Sequence, residues 1–458
     1  MTTPKTTYRK QQLKYIVVDL LSAECVWMLF LLFRWIVYEG RIFGVDTILI
    51  PAFKFYQPLI LYPLSSVLIY YLSGFYLRPQ PQHKRIPKVF GNTLVCAFII
   101  SLSAFFCIAI NDNINDYTDY YLSLVVLFLL QLIVSFLSRL SVALYDNIRW
   151  KKGYMKIRTL VVGDKESACQ IVEELCPTDN VLSINLSDIN TISEVITTNR
   201  IQRVIIATTS DVSKEFLYQL INRIYPLQVE ISFTPSVYDM LIGAAHISNL
   251  EGTPLVTITE QSMSDWQICV KRLADIITSL LCLVLLSPLY LIIAILVKTS
   301  SPGPIIYKQE RIGLYGRPFM IWKFRTMEKN AEQTTPLLTS PNDSRITPIG
   351  HCLRKYRLDE LPQFWNVLKG DMSIVGPRPE RAYYIQQIMQ KAPYYCLLYK
   401  IRPGLTSWGP IRVGYTDTIE KMIQRLNFDM VYMENMSLLL DIKILFYTIR
   451  VIVDGKGQ

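Results

Sequence analysis

Four apolar stretches in the first third of the chain constrain it most. Residues 15–37, 57–77, 89–110 and 120–145 are each dominated by Leu, Ile, Val, Phe and Tyr. A helix rises about 1.5 Å per residue and a hydrocarbon core is about 30 Å thick, so about 20 apolar residues suffice to cross it. The spacing therefore predicts four transmembrane helices. Of the 458 residues, 51% are apolar and 18% charged, which leaves room for water-facing domains after the spans.

Loop charge predicts the orientation of the spans. Lys5, Arg9, Lys10 and Lys14 precede the first span; Arg78, Lys84, Arg85 and Lys88 follow the second. Arg149, Lys151, Lys152, Lys156 and Arg158 follow the fourth, whereas the loop with Asp112, Asp116 and Asp119 has no Lys or Arg. The basic segments alternate, so they face the cytosol and the acidic loop faces out. The polar, basic start and the length of the first apolar run do not match a cleavable signal peptide. Asp19, Glu24, Arg34 and Arg139 lie within or near the spans. They read as helix–helix pairing or snorkelling rather than as a polar pathway, because no span carries an ionisable residue on every turn.

The net charge of +10 suits basic loops against anionic lipid. It does not indicate nucleic-acid binding, because no basic–aromatic module accompanies it. Nine cysteines without a C-x-x-C pair, and three dispersed histidines (His83, His246, His351), exclude a disulfide framework and a histidine metal cluster.

From residue 158 to about 260 the texture changes. Residues 158–162, 204–207 and 229–233 read as short buried strands, with helical patterns at 166–175 and 214–224. Such alternation predicts a small α/β domain with a parallel sheet. The turn after the first strand, Gly163-Asp164-Lys165-Glu166-Ser167, carries one glycine of the G-x-G-x-x-G phosphate turn. The domain is thus Rossmann-like in shape and expected to lack a dinucleotide.

Residues 276–297 form a fifth apolar stretch, flanked by Lys271-Arg272 and Lys298. Its interior Ser287-Pro288 forces a bend, since proline removes a backbone donor and clashes with the preceding turn. A crossing here would also put the Lys- and Arg-rich remainder outside. The stretch is expected to enter the membrane, bend and return.

The remaining chain carries the chemistry. It contains Ser301-Pro302-Gly303-Pro304, Tyr307-Lys308-Gln309-Glu310-Arg311-Ile312-Gly313 and Lys323-Phe324-Arg325-Thr326-Met327. Asp343 and Arg345-Ile346-Thr347 follow, then Leu358-Asp359-Glu360-Leu361-Pro362-Gln363, Val375-Gly376-Pro377-Arg378-Pro379 and Arg402-Pro403-Gly404-Leu405-Thr406. In this order, over about 190 residues, the motifs resemble the bacterial sugar transferase family, the monotopic phosphoglycosyl transferases. The preceding spans and α/β domain resemble its large-chain branch. Near Trp408, Ser407 and Pro410 stand where the family often has glycine and glutamine.

The resemblance implies transfer of a sugar-1-phosphate from a UDP-sugar to undecaprenyl phosphate, with release of UMP. It implies the start of exopolysaccharide, capsule or O-antigen (lipopolysaccharide) repeat units, at the cytosolic face of the bacterial inner membrane. Asp359 matches the family nucleophile and Glu360 the residue that holds Mg²⁺. A carboxylate can attack phosphorus covalently, and Mg²⁺ is usually held by one or two carboxylates plus substrate phosphates. Lys323, Arg325, Arg345 and Arg378 are the expected phosphate partners, since guanidinium forks suit phosphate oxygens. Asp429 matches a recurrent family acid. Residues 437–453 read either as a helix on the membrane surface or as a core helix.

The resulting expectation is a membrane protein of α plus α/β class in three parts. Residues 1–148 form a four-helix transmembrane region and 149–262 a Rossmann-like α/β domain. Residues 263–458 form a mostly helical catalytic domain with a re-entrant helix at about 276–297. The expected partners are a UDP-sugar, undecaprenyl phosphate and the lipid bilayer, with no nucleic acid; a homodimer and polysaccharide-assembly partners are left open. A catalytically idle membrane scaffold is the alternative, against which the intact Asp359-Glu360 pair weighs.

Overall fold

A computed structural model of the chain describes residues 5–39, 52–73, 75–76, 86–111, 117–151, 158–163, 180–184, 189–207, 214–227, 229–234, 256–257, 263–328, 343–414 and 418–454. They fall into two compact units. One comprises Met1–Lys156 and Ser264–Leu273, the other Ile157–Met263 and Ala274–Gln458.

The first unit contains α1 (Lys5–Arg34), α2 (Ala52–Leu72), α3 (Ile86–Asn111) and α4 (Tyr117–Lys151), which cover parts of all four predicted stretches. Among the described residues, Gln12–Val37 and Tyr117–Asp146 are long and apolar enough to cross a membrane. Pro58–Leu72 and Phe90–Phe106 are shorter apolar helices. The unit turns many large apolar side chains outward, including Leu21, Leu32, Leu61, Leu68, Phe98 and Leu137, as a membrane-associated helix group does. Among its described residues is a fully buried ion pair. Arg139 Nε and Nη2 donate to Asp19 Oδ1 and Oδ2, each at 2.7 Å. Tyr76 donates to the same carboxylate at 2.6 Å, and the Arg139 guanidinium lies 3.6 Å from the centre of the Tyr70 ring. Asp19 and Arg139 therefore pair helix to helix.

In the second unit, β1 (Arg158–Val162), β2 (Asn180–Ile184), β3 (Arg203–Ile206), β4 (Glu230–Phe233) and β5 (Val256–Thr257) form one sheet in the order β2-β1-β3-β4-β5. The first four strands are parallel and β5 is antiparallel. Helices α5 (Ile189–Thr198) and α6 (Lys214–Ile224) supply Ile192, Ile196, Leu220 and Ile221 to a core with Leu160, Val162, Val204, Ile206 and Ile231. Cys396 belongs to the same core, with Tyr315 and Tyr399 packed against it, so the sheet shares apolar burial with the C-terminal part. The 166–175 helix, the 164–167 turn and most of the charged loops used for orientation lie outside the described residues.

The fifth apolar stretch is two helices, α7 (Asp265–Leu285) and α8 (Ser287–Ser300), bent by 63° at the predicted break. Pro288 sits in the first turn of α8, where a missing N–H costs nothing. The remaining elements position the site. They are the hairpin β6 (Ile306–Ile312) and β7 (Pro318–Phe324), α9 (Pro348–Lys355), α10 (Gln363–Lys369), β8 (Ser373–Val375), α11 (Ala382–Lys391), β9 (Gly404–Thr406), α12 (Trp408–Val413), α13 (Ile419–Glu434) and α14 (Leu438–Val453). Helix α14 buries Asp441 and Ile444 and leaves Leu439, Ile442, Phe446, Ile449 and Val453 exposed.

Candidate active site

The β6–β7 hairpin pairs Tyr307 with Lys323, Gln309 with Ile321 and Arg311 with Phe319. Directly opposed residues share a face and alternate along each strand. The register therefore puts Lys323 and Arg311 on one side of the hairpin.

The Asp359-Glu360 pair lies in a tight 3₁₀ turn, Leu358–Glu360. Arg357 enters it in the left-handed conformation, φ 54° and ψ 23°. A non-glycine residue there stores strain of about 1–3 kcal/mol, which surrounding packing must hold. Leu358 and Leu361, on either side of the acidic pair, pack against a cluster of Ile293, Val297, Phe324 and Leu353. The Tyr290 hydroxyl also donates to the Leu361 carbonyl at 2.8 Å. Helix α8 thus braces the turn from both flanks.

Arg378 arrives from β8. That strand is fixed by Asp275 of α7, whose carboxylate accepts from Ser373 Oγ at 2.7 Å and from the Ile374 N–H at 3.1 Å. Parallel pairing with β9 brings the backbones of Gly376 and Gly404 so close that a Cβ on Gly404 would collide with Gly376 N. Pro377 and Pro379 then fix the chain around Arg378.

These elements converge on an open cleft of about 210 Å³ lined by Arg311, Ile321, Lys323, Glu360, Gln363, Arg378, Pro379 and Gly404. Glu360 Oε1 accepts from Lys323 Nζ at 2.9 Å and from Arg378 Nη2 at 3.2 Å. Arg357 Nη1 lies 3.8 Å from Oε2. Burial alone would raise the pKa of Glu360, but Lys323, Arg378 and Arg357 outweigh it and hold the carboxyl below its ordinary range. Asp359 behaves oppositely. Burial and the neighbouring Glu360 charge raise it to about 6, despite the opposing Lys323 charge. No hydrogen bond engages the Asp359 carboxylate among the described residues. The two acids are thus chemically distinct: one is locked among cations, the other has its lone pairs free.

The other expected site residues do not line the cleft, although the Asp429 carboxylate accepts a hydrogen bond from the Arg378 backbone. Arg325, buried just after β7, donates to the carbonyls of Val297 (3.0 Å), Ser301 (2.6 Å) and Pro304 (2.6 Å) and to Ser301 Oγ (3.0 Å). It closes the C-terminal end of α8, whose last carbonyls lack helical partners. Arg345 forks onto Asp343, with Nε and Nη2 at 2.8 and 2.5 Å from its oxygens. Asp429 on α13 is buried; its Oδ1 accepts from Ser407 Oγ at 2.5 Å and from the Gly409 N–H at 2.9 Å. The expected phosphate partners thus divide: Lys323 and Arg378 line the cleft, whereas Arg325, Arg345 and Asp429 do not. Ser287 and Pro288 form the helix break. Arg311 and Gln363 line the cleft and were not singled out in the sequence, although the period-two alternation of β6 and β7 carries the signal for Arg311.

Residues 266–455 match the family model described as bacterial sugar transferase. The chain is 39% identical over 233 residues to the UDP-glucose:undecaprenyl-phosphate glucose-1-phosphate transferase of Escherichia coli, covering 50% of each chain. It is 42% identical over 221 residues to the UDP-N-acetylgalactosamine-undecaprenyl-phosphate N-acetylgalactosaminephosphotransferase of Aeromonas hydrophila, covering 48% of this chain and 52% of the relative. It is 40% identical over 181 residues to a UDP-glucose:undecaprenyl-phosphate glucose-1-phosphate transferase of Caulobacter vibrioides, covering 39% of this chain and 68% of that one. The chain spans about half the length of the first two relatives. The cleft, with Glu360 and its cations, lies within the matched residues, and the chain belongs to the bacterial sugar transferase family.

Proposed function

We propose that the chain transfers a sugar-1-phosphate from a UDP-sugar to undecaprenyl phosphate at a membrane surface, releasing UMP and initiating exopolysaccharide, capsule or O-antigen repeat-unit assembly. One observation carries this reading: Asp359, a largely buried acid with no hydrogen bond to its carboxylate among the described residues, directly precedes Glu360, on which the cations of the cleft converge.

In the first step an Asp359 carboxylate oxygen attacks the sugar-bearing β-phosphorus. The bond to the bridging oxygen breaks, UMP leaves with that electron pair, and the phosphosugar remains as an aspartyl ester. Lys323 and Arg378 donate N–H groups to the phosphoryl oxygens and reduce the repulsion between two anions. In the second step an oxygen of the lipid phosphate attacks the same phosphorus and displaces the Asp359 carboxylate. Both products form without net loss or gain of electrons. The carboxylate lining the cleft, Glu360, already pairs with Lys323 and Arg378, so it fits Mg²⁺ only where substrate phosphate oxygens complete the ion's shell. Glu360 would hold the ion, which when bound supplies charge neutralisation at the phosphates.

The 63° bend and the 14-residue length of α8 support re-entry, because 14 residues rise about 21 Å against a core of about 30 Å. With four spans before it and basic loops inside, the cleft then faces the cytosol at the inner membrane. The division at residues 148 and 262 follows from the same reading. The donor sugar is a hexose or an N-acetylated amino sugar, in keeping with the printed names of the two relatives first described.

The test is UMP release by full-length protein given Mg²⁺, undecaprenyl phosphate and either UDP-glucose or UDP-N-acetylgalactosamine. Release dependent on the lipid phosphate is expected. Folded protein that releases no UMP from any UDP-sugar in a wider panel contradicts the reading.

A further inference from the structure

Arg311 has no assigned task in the reaction, yet it lines the cleft with Lys323 and Arg378. Each of these three cations has an acidic partner, Glu360 for Lys323 and Arg378 and Glu380 for Arg311. Lys323 and Arg378 are tied to Glu360, whereas Arg311 is tied from behind. Its Nη1 donates to the Pro379 carbonyl at 3.1 Å and to Glu380 Oε2 at 3.3 Å. Its Nη2 donates to Gln309 Oε1 at 2.8 Å. Glu380 in turn accepts from Arg425 of α13 at its other oxygen.

Glu380 and Arg425 are both buried. A buried arginine–glutamate–arginine set carries a surplus positive charge and a desolvation cost, so it is a poor device for stability alone. Burial, reinforced by Arg378 and Arg381, depresses the Arg311 pKa to about 10. Such a site is short of an anion.

Two donors at the cleft are also unspent. Arg311 Nε and Gln363 Nε2 are buried and have no hydrogen-bond partner. Gln363 is only 2% exposed and lines the same cleft.

We infer that Arg311 is a third phosphate-binding cation of the cleft, held in position by Glu380 and Arg425, with Gln363 as a neutral donor to the same phosphate. The ligand is a phosphoryl oxygen, either of the nucleoside diphosphate sugar or of the lipid phosphate. The assignment rests on the transferase reading for its substrates but on the cleft itself for its chemistry. Arg311 and Gln363 touch the ligand; Glu380 and Arg425 act through Arg311.

The test compares full-length wild type with Arg311→Met, Arg311→Lys, Glu380→Gln and Gln363→Met. Each is measured for UMP release without acceptor, for KM toward undecaprenyl phosphate, for melting temperature, and for binding of inorganic diphosphate. A hydrogen bond to a charged group corresponds to about 10- to 100-fold in kcat/KM, so Arg311→Met is expected to lose on that order, with partial rescue by Arg311→Lys. Gln363→Met is expected to lose about tenfold while melting no lower than wild type, because it removes a donor that the empty fold leaves unsatisfied. Glu380→Gln is expected to raise KM more than it lowers kcat. A loss in the acceptor-free release identifies the donor phosphate as the ligand. A loss confined to KM for undecaprenyl phosphate identifies the lipid phosphate. If Arg311→Met does not fold, Arg311→Lys and Gln363→Met decide. Kinetics of both within about twofold of wild type, for both substrates, would overturn the assignment. If wild type itself releases no UMP, the transferase reading fails separately. Diphosphate binding then decides: weakened in the variants supports the site, unchanged overturns it.

Discussion

The free carboxylate of Asp359 has a thermodynamic consequence that Asp359→Asn exposes. Asp359 is pushed from an ordinary value of 3.8 to about 6, chiefly by burial. A raised folded-state pKa means that the fold holds the proton more tightly than the unfolded chain does. Its stabilising effect is complete below about pH 4 and is lost as pH rises through about 6. At pH 8 the native state therefore carries a buried charge that works against it. The rise from 3.8 to about 6 means that ionised Asp359 costs the fold about 3 kcal/mol. Asparagine has nearly the same shape and no charge. With EDTA present, Asp359→Asn should melt several degrees higher than wild type at pH 8. The difference should vanish near pH 4, where both side chains are neutral. Thermal melts in one detergent at a series of pH values measure this, with UMP release as the functional readout: more stable and inactive is the expected combination. A variant less stable than wild type at pH 8 would show that the carboxylate is held by favourable partners, and the case for a strained nucleophile would fall.

Arg325→Ala should lower stability by about 2–4 kcal/mol, because it orphans three buried carbonyls at the end of α8. The variant that folds should keep most of its turnover at low temperature; lost turnover at wild-type melting temperature would return Arg325 to the phosphate site. Pro288→Leu should straighten the α7–α8 bend, and an introduced C-terminal cysteine should change its labelling from the cytosolic side. Unchanged labelling would count against re-entry through that bend. Asp19→Ala should destabilise the N-terminal helix group by about 3–5 kcal/mol, since it leaves Arg139 buried and unpaired. A melting temperature equal to wild type would show that the pair is hydrated.

Features set by local covalent chemistry could be read directly from the chain. The break at Ser287-Pro288 lies where proline put it, and residues 158–162 and 214–224 adopt the expected strand and helix. Strand β2 has no signature in the sequence because it pairs at the sheet edge, where Asn180 and Ser183 are tolerated, so it lacks an apolar run. The site was legible as a set of motifs but not as a geometry. Nothing in Lys-Phe-Arg-Thr-Met tells which cation faces the cleft; that follows from where β7 ends, since Lys323 lies within the strand and pairs with Glu360 whereas Arg325 lies past its last residue, Phe324, and donates to carbonyls at the end of α8. Glu380 and Arg425 lie 45 residues apart and meet only because α13 packs against α11, just before which Glu380 lies. The shared core of the sheet and Cys396 is likewise a tertiary event with no local signature.

The most direct test of the account is a search for the covalent intermediate. Full-length protein would be mixed with Mg²⁺ and a UDP-sugar that supports UMP release, without undecaprenyl phosphate, then quenched in acid and mapped by mass spectrometry. A phosphosugar on the peptide containing Asp359, discharged when undecaprenyl phosphate is added and absent in Asp359→Asn, is the predicted result. A phosphosugar on another residue, or stoichiometric transfer with no protein-bound species at any time, would contradict it.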